Sequence, residues 1–196
     1  TAVTPFMQES APELLESMGI PVVQAPAEGE PQAAQFVHDG IADHVVSEDW
    51  DTILYDIPTL VRNFRTSGAE IAHRDRILIN QGWRIEKLRW YCVLRGSDYN
   101  KSVKGIGPVR GKQIVSDADS FEDVMDAAES YGDVNRDRWR KSLELFEEPE
   151  VESHHPDDIT WGRFNRDDVH NVACLKYGLA DWQVESRLAN VEEQWF

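Results

Sequence analysis

Four acidic side chains stand where carboxylates could gather around metal ions. Glu28 and Glu30 lie in an Ala-Pro-Ala-Glu-Gly-Glu-Pro segment, between a β-branched run and a helical pattern. Asp49 and Asp51, within Ser-Glu-Asp-Trp-Asp, follow the next β-branched run in the same way. Because ligands in open α/β sheets collect outside the carboxyl ends of the strands, these four acids could converge.

A cluster of this kind needs positive charge. Carboxylates held about 5 Å apart repel each other by roughly 3 kcal/mol per pair at an effective dielectric near 20. Mg²⁺ or Mn²⁺ is the expected counter-charge, since both ions prefer carboxylate and water oxygens, and no Cys/His spacing suggests zinc. The alternative is that acids at helix starts only cap free N–H groups or complement the helix dipole, and this stays open in an acid-rich chain.

A Gly-Ile-Gly turn joins two helical patterns and offers a different chemistry. Gly105 and Gly107 would let the backbone approach a phosphate closely, and the helix that follows presents free N–H groups to an anion. Lys104, Arg110 and Lys112 surround the turn with positive charge. Such contacts position a duplex without reading its sequence. The alternative is a plain turn between helices, closed by glycine.

The elements that must position these side chains alternate in the first half of the chain. Short β-branched runs and helical patterns follow one another between residues 10 and 90, which favours an α/β sheet. The sequence predicts helices at Ala11–Met18 and Pro31–Asp39, a helical turn at Trp50–Tyr55, and strands at Pro21–Gln24, His44–Ser47 and Leu60–Arg65.

The second half of the chain is expected to be almost wholly helical, with an acidic loop at Pro149–Asp158. We therefore divide the chain into an α/β half at residues 1–83 and a helical region at 84–196, within one continuous domain. The predicted helices of the second half are Ile85–Arg95, Val109–Val115, Phe121–Ser130, Arg136–Phe146, Arg166–Tyr177 and Asp181–Glu193.

The overall charge argues at first against a polyanionic partner. The 196 residues carry 36 acidic and 20 basic side chains, a net charge of −16 that should repel nucleic acid. The acids are scattered, however, and 14 arginines outnumber 6 lysines, a pattern typical of halophilic proteins. At molar salt the Debye length is about 3 Å, so that contacts at hydrogen-bond range survive while the distributed field is screened.

The sequence has neither an apolar run long enough to span a membrane nor a secretory leader, which favours a cytoplasmic protein. Cys92 and Cys174 lack metal or redox spacing and are expected to be free buried thiols. The six histidines show no usable spacing, so surface or capping roles are expected. Trp50, between two of the acids, could shape a metal pocket.

Four segments together resemble a known family. Met18–Ala34, Val46–Tyr55, Gly96–Asn100 and the Gly-Ile-Gly turn look like successive motifs of the flap endonucleases, in the same order and with similar spacing. The resemblance implies a PIN-like or Rossmann-like partial sheet with helices, followed by a helical region that contains a helix-two-turn-helix motif for DNA. It also implies metal-dependent cleavage of DNA at 5′ flaps, nicks or junctions during replication and repair.

The resemblance assigns the acids by position. Glu28 and Glu30 would serve a first Mg²⁺ or Mn²⁺ ion directly or through water. Asp49, Asp51 and Asp98 would complete the shell of a second ion. Two such ions could activate a water and stabilise the leaving oxygen.

The resemblance also assigns the residues around the glycine turn. Ser102, with the carbonyl groups of Val103 and Ile106, matches the positions that hold K⁺ in the family. Lys104 and Arg110 would hold the duplex beside that ion.

The chain also departs from the family pattern. The family's N-terminal half, with further aspartates, basic residues and a helical gateway, has no counterpart in this sequence, so we expect a fragment, one subunit of a split enzyme, or a shortened relative. A non-catalytic module that binds duplex DNA and needs a partner chain is the main alternative. The tail with Trp195 and Phe196 could bind a sliding clamp, or its aromatic side chains could pack on the core.

Overall fold

A computed structural model describes residues 4–64 and 68–195 of the chain, with side chains as far as Ala189. The fold is helix-rich α/β with a small mixed sheet, which confirms the predicted fold class. Its elements are α1 (Pro5–Ser17), α2 (Gly29–His38), β1 (Val45–Val46), a 3₁₀ helix (Trp50–Tyr55), β2 (Thr59–Arg62), β3 (Glu70–His73), α3 (Arg74–Gln81), α4 (Ile85–Arg95), α5 (Pro108–Asp117), α6 (Phe121–Glu129), α7 (Arg136–Glu147), a 3₁₀ helix (Pro156–Asp158), α8 (Arg166–His170), a π-helix (Asn171–Lys176) and α9 (Asp181–Trp195).

The chain forms two compact units, a larger one of residues 25–154 and a smaller one that combines residues 1–24 with 155–196. Each unit has its own apolar cluster. In the larger unit Leu54, Leu60 and Leu94 are completely buried. In the smaller unit Val169 of α8 and Leu188 of α9 are buried in one apolar cluster. The predicted division of the chain at residue 83 stays a prediction.

The sheet explains how two of the acids come to lie beside each other. β1 runs parallel to β2, with Val45 opposite Leu60, and β3 is antiparallel to β2. A parallel pair needs a crossover of a dozen or more residues, and residues 47–58 provide it. Asp49 and Asp51 lie on this crossover, directly after the carboxyl end of β1.

The two faces of the sheet differ in burial although both are apolar. Side chains that oppose one another across neighbouring strands point to the same face. The first face, with Val45, Leu60 and Ala72, is buried in the core. On the other face, Val46 and Ile71 flank Val61 and are 56% and 61% exposed.

Several predicted elements differ from the observed ones. The segment Pro21–Gln24 was predicted as a strand and is irregular. A β-branched run becomes a strand only where a neighbouring strand accepts its backbone hydrogen bonds, and periodicity does not reveal that partner. The predicted strand Leu60–Arg65 begins at Thr59 and ends at Arg62, while its predicted last residue lies outside the described residues. The sequence also missed β3 and α3.

The C-terminal part contains one further difference. A continuous helix was predicted from Arg166 to Tyr177, but α8 ends at His170 and a π-helix follows. α9 extends through Trp195, and Phe196 lies outside the described residues, so clamp binding by the tail stays a prediction. None of the described helices combines the length and the apolarity that crossing a membrane requires.

Candidate metal centre

All five predicted acids line one small cavity in the larger unit. The cavity has a volume of about 30 Å³, enough for roughly two water-sized spheres. Its walls come from the start of α2, the first 3₁₀ helix, the loop after α4, and α7. The lining residues are Glu28, Glu30, Asp49, Asp51, Thr52, Tyr55, Asp98, Tyr99 and Phe146.

The start of α2 places the first two acids. Glu28 is the N-cap residue, with extended backbone, yet its carboxylate makes no capping hydrogen bond. It accepts a hydrogen bond from the hydroxyl group of Tyr99 instead. Glu30 lies in the first turn of the same helix. Capping therefore does not account for Glu28, and its carboxylate faces the cavity.

The 3₁₀ helix after β1 places the next two acids. Asp49 is the N-cap, and its Oδ1 accepts the backbone N–H of Asp51 at 2.9 Å. The capping explanation is thus correct for one oxygen of Asp49. The 3₁₀ helix is anchored by Ile53 and Leu54, both buried in the core, so the two aspartates occupy fixed positions at the cavity wall.

A buried polar network fixes the loop that carries Asp98. Asn100 is 5% exposed, and its amide donates to the carbonyl group of Val93 at 2.7 Å. Its Oδ1 accepts hydrogen bonds from the hydroxyl groups of Ser97 and Ser142, each at 2.8 Å. These bonds tie the loop to α4 and α7 and so determine where the Asp98 carboxylate lies.

The electrostatics of the cavity are those of crowded like charges. Burial raises the pKa of Asp51 from 3.8 to about 6, with further contributions from the negative charges of Asp49 and Asp98. Burial likewise raises the pKa of Tyr55 to about 12, and the charge of Glu28 adds to the shift. Burial also raises the pKa of Tyr99. A cation in the cavity would offset the negative charges that contribute to the raised pKa of Asp51.

The donor set fits hard divalent cations. Carboxylates and hydroxyl groups provide only oxygen donors, the preference of Mg²⁺ and Mn²⁺. The Oγ1 of Thr52 is buried in this wall and has no hydrogen-bond partner within the described part of the chain. No three carboxylates of the cavity form a group with ligand atoms all within 4.8 Å of one another, as far as the described residues show. The acids are therefore spread more widely than a single-ion site requires.

Trp50 does not line the cavity, although its place between two of the acids suggested that it could. Its side chain is 48% exposed, and the guanidinium group of Arg62 lies 4.4 Å from the ring centroid. The indole therefore takes part in a cation–π contact at the surface of the unit.

The glycine turn lies between α4 and α5 in the same unit. Gly105, Gly107, Lys104, Arg110 and Lys112 are all exposed, as a phosphate-binding role requires. Arg110 donates to the carbonyl group of Gly105 at 2.5 Å, and its guanidinium group lies 4.7 Å from the ring centroid of Tyr131. These two contacts hold the arginine across the turn.

The two glycines of the turn are there for different reasons. Gly105 has φ +92°, a conformation that strongly favours glycine. Gly107 has φ −83°, which any residue adopts. A Cβ atom on Gly107 would meet no atom within 4 Å. Gly107 is the N-cap of α5, a position that favours glycine over alanine, and the absence of a side chain also leaves the backbone accessible to an external group.

The three predicted potassium ligands differ in burial. Val103 and Ile106 are buried, while Ser102 is exposed. The carbonyl group of Val103 accepts the N–H of Ile106 at 3.2 Å. The carbonyl group of Ile106 accepts from Nη1 of Arg95 at 2.5 Å. The guanidinium group of Arg95 is therefore already bound to one of the three oxygens that were predicted to hold K⁺.

Comparisons with known proteins show which proteins this chain is similar to. The family model of the XPG I-region matches residues 19–98, a range that contains all five acids of the cavity. Flap endonuclease 1 of Methanosphaerula palustris is 32% identical over 96% of this chain. The chain is therefore similar to the flap endonucleases over nearly its whole length. It spans 58% of the length of that curated relative.

Two solved structures match the fold. Flap endonuclease-1 from Methanococcus jannaschii superposes with a TM-score of 0.75 at 26% identity, over 93% of this chain and 56% of that protein. The catalytic core of Rad2 in complex with a DNA substrate gives a TM-score of 0.73 over 91% of this chain and 64% of that protein. At 22% identity the Rad2 match shows the fold alone.

The sequence did not reveal the residues that hold the five acids of the cavity in place. Tyr99 lies 71 positions from Glu28, and Ser142 lies 42 positions from Asn100. Nothing in local periodicity pairs residues at such separations. Tyr99 and Asn100 do stand within the Gly-Ser-Asp-Tyr-Asn motif, so polar neighbours of a predicted ligand were the available signal.

Proposed function

We propose that this chain is the carboxylate-bearing part of a divalent-metal-dependent, structure-specific DNA endonuclease that acts on 5′ flaps in replication and repair. One observation carries the proposal: five carboxylates from three separate segments line one cavity, in a chain that is similar to the flap endonucleases. The cytoplasmic location and the halophilic origin expected from the sequence are kept as predictions.

Two Mg²⁺ or Mn²⁺ ions would occupy the cavity. Glu28 and Glu30 would hold the first, and Asp49, Asp51 and Asp98 the second. The ions would supply activation of a water and stabilisation of the leaving oxygen. Tyr99 holds the Glu28 carboxylate through its hydroxyl group, which orients that ligand before any ion binds.

The glycine turn is proposed as the duplex-binding element, a helix-two-turn-helix. Lys104, Arg110 and Lys112 would contact phosphates, and Gly105 and Gly107 would let the backbone come close. The proposal is supported by the exposure of all five residues and by the open space around Gly107, where an added Cβ would meet no atom within 4 Å. The likeness to a Rad2 core that binds DNA is consistent with it.

A monovalent cation at this turn is a finer proposal. Ser102 and the carbonyl groups of Val103 and Ile106 would hold K⁺. The Arg95 guanidinium group competes, because it already donates to the Ile106 carbonyl group. We expect Arg95→Ala to make duplex binding more sensitive to replacement of K⁺ by a large organic cation, and equal sensitivity in both proteins would count against the site.

The uncovered apolar face of the sheet favours a second possibility, that catalysis needs another polypeptide segment. Val46 and Ile71 are each more than half exposed beside Val61. Contiguous apolar surface of this kind marks interaction sites. The chain also spans only 58% of the relative from Methanosphaerula palustris. On this alternative the chain alone binds duplex DNA, and a separate N-terminal nuclease half completes the site.

Cleavage of a labelled 5′-flap duplex in Mg²⁺ tests the proposal. Asp98→Asn should reduce cleavage by about 1000-fold, since metal ions supply several kcal/mol of transition-state stabilisation. Glu48→Gln is the matched control, because Glu48 is an exposed acid of the same Ser-Glu-Asp-Trp-Asp segment that does not line the cavity. If Asp98→Asn cuts at the parental rate, the site is wrongly assigned. Binding without cutting, with cutting restored by a second chain, would establish the split arrangement.

A further inference from the structure

A histidine, a cysteine and an aspartate converge in the smaller unit. One nitrogen of His170, the sulfur of Cys174 and one oxygen of Asp181 all lie within 4.8 Å of one another. Within the described ranges no other set of three His, Cys, Asp or Glu side chains meets this criterion. This cluster was not predicted from the sequence, where no Cys/His spacing was recognised as that of a zinc site.

The backbone explains why these three residues meet. His170 ends α8, and Cys174 lies four residues on, within the π-helix. The chain then reverses through Gly178, whose φ is +69° and whose N–H donates to the carbonyl group of Cys174 at 3.0 Å. Asp181 is the first residue of α9. The reversal therefore brings the start of α9 back against the end of the preceding helical segment.

We propose that His170, Cys174 and Asp181 form a zinc site that fastens the start of α9 to the π-helix. Imidazole nitrogen, thiolate sulfur and carboxylate oxygen are the three donor types that Zn²⁺ binds, and a tetrahedral ion would keep its fourth position for water. The sulfur donor distinguishes this site from the oxygen-only cavity of the larger unit, because thiolates select zinc rather than magnesium.

Burial suits an ion that enters from solvent. The side chains of His170 and Asp181 are 30% and 73% exposed. Cys174 packs against the apolar cluster of the smaller unit, which holds the sulfur in place from the inner side. His170 Nε2 and Asp181 Oδ1 are 2.5 Å apart. Ligand atoms about 2.1 Å from a tetrahedral ion stand roughly 3.4 Å apart, so the exposed carboxylate must swing outward by about 1 Å on binding.

A simple ion pair between two helix ends is the competing explanation. His170 at a helix C-terminus and Asp181 at a helix N-terminus each complement a dipole. That explanation requires no thiol. It also leaves the π-helix without a role, whereas π-helical turns occur frequently at functional sites. Zn²⁺ would displace the thiol proton of Cys174 to form the zinc–sulfur bond, and that proton would pass to solvent.

Cobalt is the probe that separates these explanations. The reduced, chelator-stripped chain is titrated with Co²⁺, and we expect a thiolate-to-cobalt charge-transfer band that Zn²⁺ abolishes. Cys174→Ser should remove the band and weaken Zn²⁺ binding by more than the roughly 10- to 100-fold that changes outside the ligand shell cost. Cys92→Ala is the thiol control and Asp51→Asn the control for the acidic cavity, and both should retain the band.

Thermal unfolding supplies a second readout. Stoichiometric Zn²⁺ should raise the Tm of the parent chain but not that of Cys174→Ser or Asp181→Asn, since an ion bound only to the folded state stabilises it. Absence of the band in the parent chain would leave only an ion pair and would overturn the proposal. Equal zinc affinity in the parent and Cys174→Ser would do the same. Loss of the band in Asp51→Asn would show that the band depends on the acidic cavity and would also overturn the proposal.

Discussion

The acidic cavity and the glycine turn belong to the same unit but are built in opposite ways. The cavity draws its carboxylates from residues 28–98, so its geometry exists only when the sheet, α2 and α4 are in place. The turn is contained in the 13 residues from Gly96 to Pro108. A site made from distant segments is sensitive to the fold that supports it, whereas a local turn is sensitive to its own backbone.

The two regions also differ in charge. The cavity concentrates negative charge and raises the pKa of Asp51. The turn exposes Lys104 and Lys112 in a chain whose net charge is −16. Some arginines elsewhere form ion pairs. On α7, Arg136 and Arg140 pair with acids that include Glu122. The cavity therefore needs a cation, while the turn is available to an anion.

The largest effect is expected where the fold supports the cavity. Asn100→Ala would remove the partner of the Val93 carbonyl group and of two serine hydroxyl groups. We expect a loss of about 2 to 4 kcal/mol in the free energy of unfolding, together with weaker Mn²⁺ binding. Chemical denaturation measures the first and calorimetric titration the second. The exposed Asn80→Ala on α3 should change stability by less than about 0.5 kcal/mol. Parental Mn²⁺ affinity in Asn100→Ala would show that Asp98 does not depend on this network.

A pair of glycine substitutions separates conformation from access in the turn. Gly105→Ala should cost about 1 to 2 kcal/mol of stability, because its φ of +92° is unfavourable for other residues. Gly107→Ala should cost less, no more than about 1 kcal/mol, because Gly107 caps α5 but its φ is ordinary and the added Cβ meets nothing within 4 Å. It should weaken duplex binding by about tenfold if the backbone must approach a phosphate. Unchanged duplex affinity in Gly107→Ala would make this a plain turn between helices.

The basic side chains of the turn are expected to act through charge alone. Lys104→Ala and Arg110→Ala should each lower duplex affinity uniformly across sequences and reduce the salt slope by about one. Mn²⁺ affinity should stay at the parental value. Fluorescence anisotropy at several salt concentrations measures the slope, with the exposed Lys141→Ala on α7 as control. If Lys104→Ala and Arg110→Ala show the same salt slope as the Lys141→Ala control, the turn is not part of the DNA interface.

The smallest effect concerns the cost of crowding the acids. The folded state raises the pKa of Asp51 from 3.8 to about 6 and so retains its proton more strongly than the unfolded state. Stability of the metal-free chain should therefore fall as pH rises from about 4 to 6, with the full penalty above that window. In chelator at pH 7.5, Asp51→Asn should be more stable than the parent by about 1 kcal/mol, after discounting for solvent screening. At pH 3.5 the difference in stability between the two proteins should vanish. Equal stability of the two proteins at pH 7.5 would contradict the raised pKa of Asp51.

The sequence predicted the parts of this molecule whose signal is local. Helices such as Ile85–Arg95 follow from periodicity and match α4 at both ends. The Gly-Ile-Gly turn followed from residue type. The five acids followed from paired spacing and, for Asp98, from resemblance to a family. Periodicity failed for Pro21–Gln24, since a strand depends on a neighbour that its own residues do not encode.

Long-range polar contacts could not be predicted at all. The bond from Tyr99 to Glu28 and the network around Asn100 join residues that only the tertiary fold brings together. The convergence of Asp181 with His170 depends on a π-helix that has no sequence signature in this chain, although the break between a helix ending at Tyr177 and one starting at Asp181 was predicted.

Anomalous diffraction from crystals grown in Mn²⁺ tests the central claim most directly. We expect two manganese peaks, about 3.5 to 4 Å apart, between the carboxylates of the cavity. Both peaks should disappear or weaken in Asp51→Asn. Crystals of the parent chain with ordered carboxylates and no manganese density between them would contradict the proposed centre.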